Sequence, residues 1–387
     1  MPCDFVGEQV RHRKVKDALF LAQLPARGLF VGLPTATVDS RAMETIYRLG
    51  EISCPAGILV LVDGGHLGLW SGERSPAEID PALLGVDDPA MVADVLGSVD
   101  LVGVGPDASA AVRSFDRQPG RVLHDIPASR AAELTAMFEE HCRGAGLDAR
   151  LEALPGRESH ARRVRRTAAE GGGSFLMFGV PVVVVGGVPR DRRLPVLASR
   201  VDARDGVRWA EMSVRVSDAE VESSVPLGDI GVDWGRVLFG DADALNAWRH
   251  DDPVDGLADV AFWGAAADEA AEAFAAPELG EPGEDGVRGW TGLAVTEAVE
   301  TALAVQKWKE ERAGRGLMVD FRPHSHHWQV MRQVRASETE SGTVDIGDAR
   351  LLCAMTTWGD GYFPVSADLD AKGALVAVRV RFSDTAA

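Results

Sequence analysis

Two histidines one residue apart carry the strongest hint of chemistry in this chain. They lie in Asp320-Phe321-Arg322-Pro323-His324-Ser325-His326-His327-Trp328. Side chains alternate along a β-strand, so on a strand Asp320, Arg322, His324, His326 and Trp328 would share one face. Such a His-x-His pair presents two imidazoles to one metal ion, with Asp320 or Asp360 adding an oxygen. Zn²⁺ or another divalent metal would accept that set at about 2.0–2.2 Å. Pro323 counts against a regular strand, because it lacks a ladder donor. The stretch taken as equivalent in the first half, residues 147–154, has no histidine. The metal reading is therefore confined to the second half of the chain.

Other local patterns are weaker. Gly103-Val104-Gly105-Pro106-Asp107-Ala108 fits G-x-G-x-x-A, and Asp125 follows where a ribose-binding acid would stand. Asp107, however, places negative charge where a pyrophosphate must sit, and it serves equally as a helix N-cap. No dinucleotide cofactor is expected there. Gly171-Gly172-Gly173-Ser174 lacks the lysine and spacing of a phosphate loop, and the Asp368, Asp370, Gly373 stretch reads as a turn rather than a calcium loop. Cys3, Cys54, Cys142 and Cys353 are far apart, as expected of idle thiols in a reducing compartment.

The elements that must position these residues come in two sets. Residues 49–70 align without a gap against residues 227–248, an offset of 178. Leu49, Gly50, Ile52, Gly57, Asp63, Leu67 and Trp70 meet Leu227, Gly228, Ile230, Gly235, Asp241, Leu245 and Trp248. Chance supplies about one or two identities over such a stretch. Asp100, Gly105 and Phe115 then match Asp259, Gly264 and Phe274 at an offset of 159. Pro195-Val196 matches Pro364-Val365 at 169, and Ser217-Asp218 matches Ser383-Asp384 at 166. The reading is two tandem, diverged copies of one α+β domain with a mostly antiparallel sheet, residues 45–220 and 225–384. Residues 1–44 read as an N-terminal extension, disordered or upstream of a start at Met43. The shared Asp63/Asp241 and Trp70/Trp248, with His66 beside Asp63, form candidate paired recognition positions. Their structural reading, a capping aspartate and a core tryptophan, weighs more.

Within each copy an apolar strand runs into the shared aspartate, and a strand–helix pair and a longer helix follow. Hairpins close each copy, with Asp-Gly and Lys-Gly turns in the second. The last segment, Thr357-Trp358-Gly359-Asp360-Gly361-Tyr362-Phe363-Pro364-Val365, resembles the C-terminal W/Y-G-D-G-x-Y-P-V end of a family of uncharacterised bacterial domains. The first copy departs from it, with Pro189-Arg190-Asp191-Arg192-Arg193 in place of the turn. The resemblance implies the α+β fold and an association with toxin-immunity neighbourhoods. It carries no catalytic residues over.

Composition narrows the partners. A net charge of -19 repels phosphate backbones and anionic lipid, so neither nucleic acid nor membrane is expected. No apolar run reaches the length of a membrane span, and the expected location is the cytoplasm. Two functions follow. The first is a non-enzymatic protein-interaction protein of immunity or accessory type, with its copies packed as a pseudo-dimer against a protein partner. The second is a metal-dependent, hydrolase-like enzyme with its site in the second copy.

Overall fold

The computed structural model describes residues 45–80, 89–116, 123–154, 156–204, 206–280, 284–312 and 316–383. The proposed extension, residues 1–44, lies outside them. Helix takes 28% and antiparallel sheet 40%, which makes this an α+β protein. The described chain divides into a larger unit, residues 45–248 with 337–383, and a smaller one, residues 249–336. These cuts fall elsewhere than the boundaries read from sequence, because strands from both halves pair within one sheet. No described helix is long and apolar enough to cross a membrane.

In chain order the first strands are β1 (Ile46–Ser53), β2 (Ile58–Asp63), β3 (Leu101–Val104), β4 (Arg150–Ala153), β5 (Gly173–Met177) and β6 (Val180–Gly186). Then come β7 (Arg193–Ala203), β8 (Gly206–Arg215), β9 (Ser223–Val232) and β10 (Arg236–Asp241). The smaller unit holds β11 (Leu257–Gly264), β12 (Arg288–Ala294) and β13 (Leu317–Pro323). The chain closes with β14 (Ser341–Ile346), β15 (Ala349–Met355), β16 (Gly361–Leu369) and β17 (Leu375–Arg381). The helices are α1 (Pro89–Leu96), α2 (Ala108–Asp116), α3 (Ala131–Ala145), α4 (His160–Ala169), α5 (Ala267–Phe274), α6 (Val295–Glu311) and α7 (His326–Ala336).

The large unit is built on a twelve-stranded sheet in the order β5-β6-β2-β10-β15-β1-β7-β8-β17-β16-β9, with β14 added on β15. Strand β2 reads Ile-Leu-Val-Leu-Val-Asp and is buried from its second residue on, as an apolar run between other strands must be. The sheet curls until β9 lies over β5 and β6. A Cβ on Gly231 would stand 2.6 Å from Pro181 Cδ, and one on Gly228 2.6 Å from Ser174 Oγ. One core fills it, drawn from Leu49, Ile52, Leu61, Val196 and Met212 as well as Ile230, Phe239, Leu352, Val365 and Val378.

Residues 89–169 add a smaller layer to this unit, the β3–β4 pair packed on α2 and α3. Leu134, Phe138 and Cys142 recur at helical spacing along the buried face of α3, which ends on left-handed Gly146. In the smaller unit β11 sits between β12 and β13, with α6 laid on it through Ala298, Ala302 and Val305. Gly289 is required where β12 runs close against β11: its φ is +148°, and a Cβ would fall 1.9 Å from Val260 O.

Candidate functional site

The shared aspartates end two neighbouring strands of the large sheet. Strand β2 pairs with β10 so that Asp63 faces Val237 and Leu59 faces Asp241. Asp63 Oδ1 accepts from Gly65 N at 2.7 Å, and its Oδ2 accepts from Asp233 N at 2.6 Å and Trp234 N at 2.9 Å. Asp241 Oδ1 accepts from Asp243 N and Ala244 N, both at 3.0 Å, and its Oδ2 accepts from Ala56 N at 2.7 Å. Both carboxylates are buried, and burial raises the pKa of each above the usual carboxylate range. All four oxygens hold backbone turns, so these groups act first as clamps.

Trp70 and Trp248 each follow a short 3₁₀ turn, at His66–Leu69 and Ala244–Ala247. Trp70 is buried, donates from Nε1 to Asn246 Oδ1 at 3.0 Å, and packs 5.4 Å from the His160 ring. His66 lies beside Asp233, with Nε2 3.5 Å from Oδ2. Nearby, the Trp234 ring covers Gly65, where a Cβ would stand only 2.3 Å from the ring.

The histidine-rich stretch departs from the strand expectation. Strand β13 stops at Pro323, and α7 begins at His326, so the alternation that would align His324 with His326 ends between them. Asp320 pairs with Arg322 Nε at 2.6 Å. His324 sits between two carboxylates, with Nδ1 2.9 Å from Asp255 Oδ2 and Nε2 2.9 Å from Asp259 Oδ1. Burial pushes its pKa down, but hydrogen bonds to Asp259 and Asp255 outweigh that and the net shift is upward. His326 Nδ1 accepts from Arg249 N at 2.9 Å, and burial lowers its pKa. Asp360 belongs to the large unit, where its Oδ1 accepts from Gly235 N at 3.0 Å. Among the described residues no three His, Cys, Asp or Glu side chains form a group able to hold a metal ion.

One expectation needs correction. The first half carries a histidine with a contact like that of His326: His160, at the start of α4, whose Nδ1 accepts from Ser71 N at 3.0 Å. Ser71 and Arg249 stand 178 residues apart, as Asp63 and Asp241 do. Ser159 and Ser325 precede the two histidines, and each hydroxyl accepts a helix N–H three residues on, from Arg162 and from Trp328. The sequence signal is Ser-His-x-x-x-Val, at 159–164 and again at 325–330. Residues 147–154 hold β4, the strand before this motif, as β13 precedes the motif at 325–330.

A buried ionic cluster was also missed. Arg163, fully buried on α4, spans Asp100 (2.8 Å to either oxygen) and Asp125 Oδ2 (2.7 Å). Burial pushes the Asp125 carboxyl up, but His160 and Arg163 outweigh it and hold it well below the usual range. His124 accepts from Arg166 Nη2 at 2.6 Å, and burial with the charges of Arg166 and Arg163 pushes its pKa down to about 3. The Gly-x-Gly glycines have packing reasons: a Cβ on Gly103 would meet Val112, and one on Gly105 the Asp148 carbonyl. Cys54, Cys142 and Cys353 are buried free thiols, and burial pushes Cys353 up to about 12.

The Trp-Gly-Asp-Gly turn is tied down on every side. Trp358 Nε1 donates to Trp209 O at 2.6 Å, Trp209 N to Thr357 Oγ1 at 2.8 Å, and Thr356 Oγ1 to Gly359 O at 2.8 Å. Comparison with protein-family models, curated proteins and solved structures gives no match for this chain.

Proposed function

We propose that this chain is a non-enzymatic, cytoplasmic protein-interaction protein of immunity or accessory type, built from two diverged repeats. One observation carries the reading. Trp234 is 45% and Tyr362 67% exposed, on segments joined by the Gly235 N to Asp360 Oδ1 and Thr356 N to Gly235 O hydrogen bonds. Asp229, Asp233 and Asp360 on the same segments are exposed, and the Arg236 guanidinium lies 5.8 Å from the Trp234 ring. Tryptophan and tyrosine are the side chains that anchor protein interfaces, and an acidic rim on a chain of net charge -19 steers a basic partner. The immunity association rests on the resemblance of the Trp358–Val365 ending alone.

The test is affinity capture from native lysate by the tagged chain, beside a Trp234→Ala/Tyr362→Ala variant of unchanged thermal stability. The expected result is a basic protein retained by the parent and lost by the variant. Recovery of nothing, or equal recovery by both, would count against the proposal. The metal-enzyme alternative would have only stoichiometric bound metal as its evidence.

A further inference from the structure

We infer that the surface between residues 45–222 and 223–383 is a two-fold-like subunit interface closed covalently, in which the fitting partner of each half is the other, diverged half. This deepens the repeat reading and rests on it.

The contacts across that surface are reciprocal, as a two-fold interface demands. Where β2 meets β10, Leu61 lies opposite Phe239, and these two residues are 178 apart. The pairing of Asp63 with Val237 is matched by that of Asp241 with Leu59. Trp234 N donates to Asp63, and Ala56 N, 178 residues earlier, donates to Asp241. Where β8 meets β17, Ser213 lies opposite Arg379, 166 residues on, the offset that separates Ser217 from Ser383.

A third contact obeys the same rule. Ser53 of β1 pairs with Arg350 of β15. Adding 178 to the first and subtracting 169 from the second gives Gly231 and Pro181, the two residues pressed together where β9 lies over β6. The bulges agree as well: β1 with β7 and β9 with β16 both slip at the residue before a positive-φ glycine, Gly50 or Gly228.

The energetic consequence is direct. The main core takes side chains from both halves, so neither half completes that core alone. Apart, each would expose the edges of β1, β2 and β8, or of β10, β15 and β17, with the apolar face behind them. The large sheet and main core of a half-chain are therefore completed only against a mate.

The test keeps the whole chain. A protease site is placed in the exposed link at 218–222 between β8 and β9, and the folded protein is cleaved there. The expected result is that the cleaved halves still elute together at the size of the intact chain. After denaturation and separation neither half alone should regain the native near-UV circular dichroism. Mixing should restore it at a rate that rises with concentration, whereas the uncut chain refolds at a concentration-independent rate. Halves that come apart on cleavage, or either half refolding alone as a monomer, would overturn the inference. The capture experiment with Trp234 and Tyr362 is unaffected by either result, so the interaction reading stands or falls separately.

Discussion

Asp63 and Asp241 each hold the turn that leads into the other's strand: Asp63 accepts the N–H groups of Asp233 and Trp234 ahead of β10, and Asp241 accepts that of Ala56 ahead of β2. Each carboxylate also caps the turn that follows its own strand. Replacing either by Ala strands three N–H donors, and a buried unsatisfied group costs about 1–3 kcal/mol. We expect Asp63→Ala and Asp241→Ala to lose on the order of 3 kcal/mol or more in urea unfolding. Asp63→Asn should also destabilise, because an amide offers one acceptor oxygen where two are used. A neutral Asp63→Ala would refute the clamp.

Gly65 tests the packing of Trp234. Its φ of -77° suits any residue, so the penalty of Gly65→Ala comes from the indole ring above it. The substitution should cost about 2 kcal/mol, within the range for overpacking. In a Trp234→Ala background most of that cost should vanish, a coupling that a double-mutant cycle measures. Additive effects would mean the ring moves aside freely.

Arg163 balances Asp100 and Asp125, both buried. Arg163→Met leaves Asp100 without its arginine and Asp125 with Arg157 alone at 3.5 Å, and should cost about 3–5 kcal/mol. Asp100→Asn/Asp125→Asn added to that variant should recover part of the loss. Chemical denaturation of the three proteins decides it.

His324 makes the smaller unit pH-dependent. Its folded pKa is raised above the unfolded value by Asp259 and Asp255, although burial opposes the shift. The stabilisation is therefore fully present below the ordinary histidine pKa and is lost as pH rises through the folded value. Melting temperature should fall across that window in the parent chain and stay flatter in His324→Gln. Identical profiles would remove the ionic role.

Metal content separates the two functional readings. Protein purified without a His tag, beside His324→Ala/His326→Ala, should carry no stoichiometric Zn or other transition metal under the interaction reading. About one equivalent, lost in the variant, would revive the metal-dependent enzyme.

Much of the fold was legible from local signals. The apolar run ending in Asp63, its match ending in Asp241, the helical spacing of Leu134, Phe138 and Cys142, and the turn at Gly373 all follow from the nearest few side chains. The repeated residues also pointed to a clamp-and-core role for Asp63, Asp241 and Trp70, where their contacts place them.

What sequence periodicity could not supply was partnership across long separations. The alternation through His324 and His326 broke at Pro323 because the next turn of chain gains more as a helix capped by Ser325. The ion pair of Arg163 with Asp100 joins residues 63 apart, and the Asp63 clamp reaches 171 residues to Trp234. Hydrogen bonds and charge pairs of that kind depend on which strand lies beside which. The sequence alone determined the local elements. Only the tertiary structure decided that strands from both halves share one sheet and one core, because strand edges and apolar faces are satisfied wherever the chain can bring complementary ones together.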